Sequence, residues 1–251
     1  DAGVSALQEI DDELAAAFGS NDGGTEAPAT AVDAATFPAS AIGRLDFGDD
    51  AFCTGSVIGP RLVLTAAHCF FDETSYQRLQ PTIFLAGHNS GTSVAEVEIR
   101  GFYLPAGFDI DAFMNSPDVD RYDYALVTLA EDISGLTGVL EVYAPSDDEL
   151  NALMEPDSRG FDQIGYGVTG GFNPMLRGPC HITQIWEDDT YSHGCGSVRG
   201  DSGAPNLIMV NGEYAIIGIE SAELEDVEIE ISDLVVSSRA FIDDVNAQLG
   251  P

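Results

Sequence analysis

From about residue 37 onward, apolar residues fall in short runs cut by turn formers, a pattern that leaves room for short strands and little else. Thr54–Ile58 and Leu62–Thr65 flank Gly59-Pro60-Arg61, a hairpin signal. Leu207–Val210 and Glu213–Ile217 flank Asn211-Gly212, the strongest short hairpin signal. Across residues 94–102, Val97 and Ile99 alternate with Glu96, Glu98 and Arg100, as in a half-buried strand. Tyr124–Leu129, Gln163–Val168, His181–Trp186 and Ile216–Glu220 read as buried-type strands. Helical spacing returns only at the end, where Phe241, Ile242, Val245 and Leu249 form a stripe over Ala240–Leu249, with Ser238 as N-cap and Gly250 as the stop. Many short strands and one final helix predict an all-β barrel or sandwich. No internal sequence repeat is present.

The first 36 residues differ from the rest. Residues 5–18 predict a short amphipathic helix, with Ser5 and Gln8 as a capping box and Leu7, Ile10, Leu14 and Phe18 at helical spacing. Gly19 ends it, and residues 19–36 read as a linker. The N-terminus is acidic and lacks a basic start followed by an apolar stretch, so it does not read as an intact signal peptide. No run of about 18 apolar residues predicts a membrane span. A length of 251 residues suffices for one large β domain or two small lobes.

Charge narrows the partners. The chain carries 43 acidic residues against 9 basic ones, a net charge of -34, and every basic residue is Arg. Such a polyanion repels phosphate, which excludes nucleic acid, and attracts basic polypeptides. It also suits a saline setting, where a screened acidic surface stays hydrated.

Cys53, Cys69, Cys180 and Cys195 allow three disulfide pairings, and spacing alone does not choose among them. The local pairing would close two loops of roughly 15 residues, each stabilising the fold by about 3 kcal/mol in the chain-entropy model. A zinc site is the rival reading, unsupported by any C-x-x-C pair. Disulfides imply an oxidising location, secreted or periplasmic.

Three segments carry chemistry: Leu64-Thr65-Ala66-Ala67-His68-Cys69, Tyr122-Asp123-Tyr124-Ala125-Leu126-Val127 and Gly200-Asp201-Ser202-Gly203-Ala204-Pro205. Each alone has a structural explanation as a strand end, a cap or a turn. The order His, Asp, Ser along an all-β chain resembles the chymotrypsin/trypsin-like serine endopeptidases over residues 37–249. Ala41-Ile42-Gly43-Arg44-Leu45, Cys53-Thr54-Gly55 and His193-Gly194-Cys195 are closer to its bacterial members, including the glutamyl-endopeptidase (V8-like) branch. The resemblance implies two antiparallel six-stranded Greek-key β-barrels and a C-terminal helix. Residues 37–140 would form the barrel with His and Asp, and residues 141–251 the barrel with Ser. Residues 1–36 would then be a pro-segment or a docked extension.

The same resemblance assigns Ser202 as nucleophile, His68 as general base and Asp123 as the carboxylate that orients the ring. A serine hydroxyl needs a base within hydrogen-bond reach, and imidazole titrates near neutrality, so it can take that proton and return it. Gly200 and Gly203 allow a tight turn around Ser202, with the N–H groups of Gly200 and Ser202 as an oxyanion hole. In a comparable protease the loss of one such donor costs about 3–4 kcal/mol. A Cys53–Cys69 bridge would tether the His68 turn. In the trypsin branch the counterpart of Asp201 pairs with an N-terminal amine formed on activation; the V8-like branch usually has Asn there, and this chain departs from it. No Arg or Lys precedes Arg44, which argues against a trypsin-type activation cut in that region.

Specificity is expected from the residues before the nucleophile and from a later strand. Trypsin-like members place an Asp six residues before the Ser; here that position is Gly196. Glutamyl endopeptidases place a His where this chain has Glu220, within Gly218-Ile219-Glu220-Ser221-Ala222-Glu223. A carboxylate there would favour Arg or Lys at P1, with Ser197 as polar helper, Ser221 beside it and Glu223 adding charge. His88, His181 and His193 match no motif and read as surface or structural residues. Asp109, Asp111, Asp118 and Asp120 suggest calcium but read as solvated surface, and no metal or cofactor is assigned. The alternative to an endopeptidase is a catalytically silent homologue acting as a binding module, or a merely acidic surface protein.

Overall fold

The computed structural model describes residues 29–48, 51–115, 121–168, 173–224 and 232–250. The helix expected over residues 5–18 lies outside them. Thr30–Ala31, expected in the linker, forms a short strand, β1. Six strands then close into a barrel: β2 (Ile42–Gly48), β3 (Ala51–Gly59), β4 (Leu62–Thr65), β5 (Ile83–Ala86), β6 (Ala95–Tyr103) and β7 (Ala125–Leu129). Their order around the barrel is β2-β3-β4-β7-β6-β5. Alternation on β6 works as the sequence predicts: Val97 is buried while Glu96 and Glu98 face solvent. Leu45, Val57, Leu64, Phe84 and Leu129 fill the interior.

The second half is a curled sheet. Its strands are β8 (Glu141–Val142), β9 (Phe161–Gly165), β10 (Met175–Cys180), β11 (Ile182–Ile185), β12 (Thr190–His193), β13 (Pro205–Val210), β14 (Glu213–Leu224) and β15 (Ser232–Ser237). They run in the order β1-β10-β9-β13-β14-β15-β12-β11, and β8 adds in parallel to β14. The chymotrypsin-like architecture is thus present, with one barrel closed. The second path ends at β1 and β11, which do not pair among the described residues. Within it, the β9–β10 ladder shifts register between Arg177 and Cys180, around Pro179, which has no N–H to offer. The β13–β14 hairpin turns on Asn211 (φ 52°) and Gly212 (φ 91°), the two positive-φ residues that its tight turn requires.

Among the described residues the helices are short until the last. They are α1 (Ile110–Asn115), α2 (Ser134–Thr137), α3 (Asp147–Ala152) and α4 (Ser238–Leu249). Ser146 and Glu149 form a capping box on α3. The N-cap of α4 is Ser237, whose hydroxyl accepts from Arg239 N–H, rather than Ser238. Ser238 Oγ instead donates to the Tyr143 carbonyl at 2.6 Å. On α4, Phe241 and Val245 are buried, and the Phe241 ring packs 5.4 Å from Tyr124 of the first barrel. One apolar cluster therefore runs from the barrel through Leu207, Ile216 and Ile219 to this helix.

Both disulfides are the local ones. Cys53–Cys69 joins β3 to the 3-10 turn His68–Phe70, and Cys180–Cys195 joins β10 to the loop after β12. With all four sulfurs bonded to one another, the zinc reading of these cysteines falls.

Asp244 on α4 accepts from the hydroxyls of Tyr103 at 2.8 Å and Tyr124 at 2.5 Å. Asp244→Ala removes both charge-assisted bonds, and urea denaturation should show a loss of about 1–2 kcal/mol. An unchanged midpoint would mean that the apolar face alone holds the helix.

Candidate active site

Strand pairing brings His68 to Asp123. Thr65 lies opposite Ala125 in the antiparallel β4–β7 ladder, so the residues just beyond β4 meet those just before β7. The chain turns sharply after Thr65, and the Cys53–Cys69 bridge anchors that turn. Asp123 is fully buried. Its Oδ1 accepts the His68 backbone N–H at 2.7 Å, and its Oδ2 lies 2.8 Å from His68 Nδ1. Oδ2 also accepts from Ser221 Oγ, on β14, at 2.5 Å. The carboxylate thus binds both the backbone and the ring of the same histidine. Burial opposes a charged His68 ring, but Asp123 outweighs it and Glu73 adds to the effect, holding the pKa above the ordinary histidine value. On its other side the ring stacks on Phe113 of α1, with centroids 5.2 Å apart and planes within 7°.

Ser202 sits on a turn held from the opposite half of the molecule. Thr54 on β3 donates its N–H to the Ser202 carbonyl at 2.9 Å and its hydroxyl to the Gly200 carbonyl at 2.8 Å. Gly200 has φ +99°, and a Cβ there would come within 2.6 Å of the Phe52 ring and 2.7 Å of the Tyr166 carbonyl. Gly203 N–H donates to Glu220 O, and Ala204 N–H to Asp201 O. By contrast, the N–H groups of Gly200 and Ser202 have no acceptor among the described residues. His68 and Ser202 line one cleft with Glu73, Phe113, Ser197 and Glu220. No hydrogen bond joins His68 to Ser202 in this cleft; such contacts commonly tighten only with substrate bound.

A buried polar network forms the wall behind Ser202. Glu220 is 3% exposed. Its Oε1 accepts from Asn206 Nδ2 at 2.7 Å and lies 2.8 Å from His193 Nε2, while Oε2 accepts from Ser197 Oγ at 2.9 Å. Asp233 accepts the Gly196 N–H at 2.7 Å and the Ser197 N–H at 2.9 Å. Its carboxylate also lies 3.3 Å from His193 Nδ1. Burial opposes charge on His193, but Glu220 and Asp233 on its two sides raise its pKa. Burial likewise raises the Asp233 carboxyl, against the pull of His193. Next to Ser202, Asp201 meets Arg177 Nη1 at 2.8 Å. Burial pushes its carboxyl up to about 6, against that guanidinium.

His68, Asp123, Ser202, Ser197, Glu220 and Ser221 therefore converge, and Gly196 lies just behind them. Ser221, expected in the pocket wall, uses its hydroxyl on Asp123. Of Glu223 only the backbone is described. Cys180–Cys195 supports the loop that carries Gly196 and Ser197. Asp109 accepts N–H groups of Asp111 and Ala112, and Asp118 and Asp120 lie outside the described residues. His193, read as surface or structural, is a buried member of the wall. Sequence reasoning missed Thr54, Phe113, Arg177 and Asp233. Thr54 and His193 stand in segments that resembled the family, which was their only signal.

The fold and the paired motifs define a chymotrypsin-like protein. A Trypsin family model matches residues 30–236, and the chain belongs to that family. It is 26% identical over 199 residues to the CLIP domain-containing serine protease B15 of Anopheles gambiae, covering 67% of this chain and 53% of that protein. It is 28% identical over 155 residues to a glutamyl endopeptidase of Bacillus licheniformis, covering 61% and 44%. The chain thus spans about half the length of these curated relatives. A solved Glu endopeptidase in complex with MPD superposes with a TM-score of 0.70 at 19% identity, over 90% of this chain and 98% of that one, a likeness of fold.

Glu73 raises the His68 pKa from outside the buried pair. Removing a negative charge disfavours the imidazolium, so Glu73→Gln should lower the pH at which His68 loses its proton. Titration followed by NMR checks this, and the difference should shrink in high salt. An unmoved titration would rule out the coupling.

Proposed function

We propose that the chain is a serine endopeptidase that hydrolyses peptide bonds through an acyl-enzyme, with Ser202, His68 and Asp123 as its triad. One observation carries the reading: a buried carboxylate holds the His68 ring in a cleft shared with Ser202, beside two N–H groups without acceptors among the described residues. In this mechanism His68 Nε2 takes the Ser202 proton as Oγ attacks the scissile carbonyl. Asp123 fixes the tautomer and stabilises the imidazolium, and the Gly200 and Ser202 N–H groups receive the developing oxyanion. The imidazolium then protonates the leaving amine, and water repeats the sequence on the ester. Residues 37–140 and 141–251 serve as the two lobes that carry these groups. The two disulfides support a secreted or periplasmic location. Among the described residues no helix is long and apolar enough to cross a membrane.

Ser202→Ala should lower kcat by about 10^6-fold and abolish labelling by a fluorophosphonate probe. Equal labelling of wild type and variant would refute the nucleophile assignment.

For P1, the cleft wall presents Glu220, with Asp233 behind Gly196. Glu220 and Asp233 outnumber the His193 ring between them, so the wall opposes an acidic side chain, unlike the preference that the names of the glutamyl endopeptidases declare, and favours Arg or Lys. Glu220→Gln keeps the volume and removes the charge. Profiling with a peptide library should show the Arg-to-Leu ratio in kcat/KM falling by about 10–100-fold. A ratio equal to that of wild type sinks the assignment.

A further inference from the structure

A fully buried histidine stands behind the cleft wall, and the proposed mechanism gives it no task. His193, on β12, lies between carboxylates from two other strands. Its Nε2 is 2.8 Å from Glu220 Oε1 on β14, and its Nδ1 is 3.3 Å from Asp233 Oδ2 on β15. Nδ1 also faces the Cys195 N–H, which donates to it at 3.2 Å. The Phe161 ring of β9 closes one side edge-on, with centroids 5.2 Å apart.

Nδ1 therefore has two partners of opposite kind. A neutral ring with its proton on Nε2 donates to Glu220 and accepts from Cys195. A ring with a second proton, on Nδ1, gives up the Cys195 bond and donates to Asp233 instead. Both ring nitrogens keep a partner either way, so the site holds the ring with one proton or with two. Burial opposes the second proton and so does the Arg177 charge on β10, but Glu220 and Asp233 outweigh them and hold the pKa above the ordinary histidine value. The charge of the wall follows that proton. Glu220 and Asp233 leave one net negative charge when the ring is protonated and two when it is not. Glu220 carries the difference to the cleft, with Ser197 and Asn206 fixing its other contacts. Of the other titratable groups near these carboxylates, Asp201 is paired with Arg177, and burial and Glu220 hold the Tyr191 hydroxyl well above its ordinary range.

Resting on the peptidase reading and on Glu220 as the P1 wall, we propose that His193 is a specificity-determining residue that acts through Glu220. The second proton on its ring sets the charge that P1 meets, so the preference for Arg over a neutral side chain strengthens as pH rises.

The test measures kcat/KM across pH for two peptides that differ only in Arg or Leu at P1, together with an NMR titration of the His193 ring. His68 and Ser202 serve both peptides, so their titration cancels in the ratio, and Arg keeps its charge throughout. The Arg-to-Leu ratio should rise about tenfold in a step above pH 6.5, where the His193 ring loses its proton. Asp201, pushed up to about 6, would give a step below that. His193→Gln, which keeps a donor for Glu220, should remove the step. Asp233→Asn withdraws the acceptor from Nδ1, so the ring titration and the step should move together to lower pH. A wild-type ratio that stays flat, while Glu220→Gln still lowers it, overturns the proposal and leaves the P1 reading standing. A step that persists in His193→Gln overturns it as well. If neither variant at 193 or 233 folds, the wild type decides by linkage: a product peptide ending in Arg should lower the pH at which the ring titrates more than one ending in Leu. Equal titration with both peptides overturns the proposal. Ratios equal in wild type and Glu220→Gln at every pH remove the P1 reading and this proposal with it. A wild type inert toward peptides removes the peptidase reading instead, and the same product-peptide titration then decides whether His193 tunes the wall.

Discussion

Asp123 is a carboxylate without exposure, and its oxygens are held from both halves of the molecule. The first barrel supplies the His68 backbone N–H and ring, and β14 supplies the Ser221 hydroxyl. An unpartnered charge at this depth would be costly, so the fold tolerates it only while these donors stay in place. The position of His68 is therefore tied to the seating of β14 against the Asp123 segment that leads into β7. The ring is then restrained twice, by Asp123 at Nδ1 and by the flat face of Phe113.

The same dependence recurs on the Ser202 side. Thr54, from the first barrel, holds the carbonyls of Ser202 and Gly200 and also receives the Tyr166 N–H on its hydroxyl. One small side chain thus links three segments across the junction. Around it the apolar core runs without a break from Leu45 and Phe84 to Leu207, Ile219 and Phe241, and α4 closes the far side through Asp244 and two tyrosines. The cleft lies at a junction whose walls cannot shift independently, which suits chemistry that depends on sub-ångström placement.

Behind the cleft runs a chain of polar groups, all buried but the half-buried Ser197: Asp201, Arg177, Gln163, Ser197, Glu220, His193 and Asp233. It joins the turn that carries the proposed nucleophile to the wall proposed to face the substrate side chain. In a low-dielectric interior such a network is rigid while every member is partnered. Among the described residues, other carboxylates lie on solvated faces, such as Glu96 and Glu98 of β6.

Much of this was legible in the residues. Alternation at Val97 and Ile99, the Asn211-Gly212 turn and the stripe on α4 are local signals, and local physics decides them. The His68, Asp123 and Ser202 segments could be read because together, in that order, they resemble the motifs of a known family, although each alone had a structural explanation. Arg177, Asp233, Thr54 and Phe113 carried no such mark, because their roles exist only through partners between 24 and 146 residues away. The choice among three disulfide pairings and the open path of the second sheet also depended on long-range geometry. By itself the sequence determined a short-stranded β chain with one terminal helix and three reactive segments. Only the tertiary structure decided that Asp201 meets Arg177 and that Glu220 stands in a hydrogen-bonded wall, because partners distant in sequence are chosen by packing and strand register rather than by spacing along the chain.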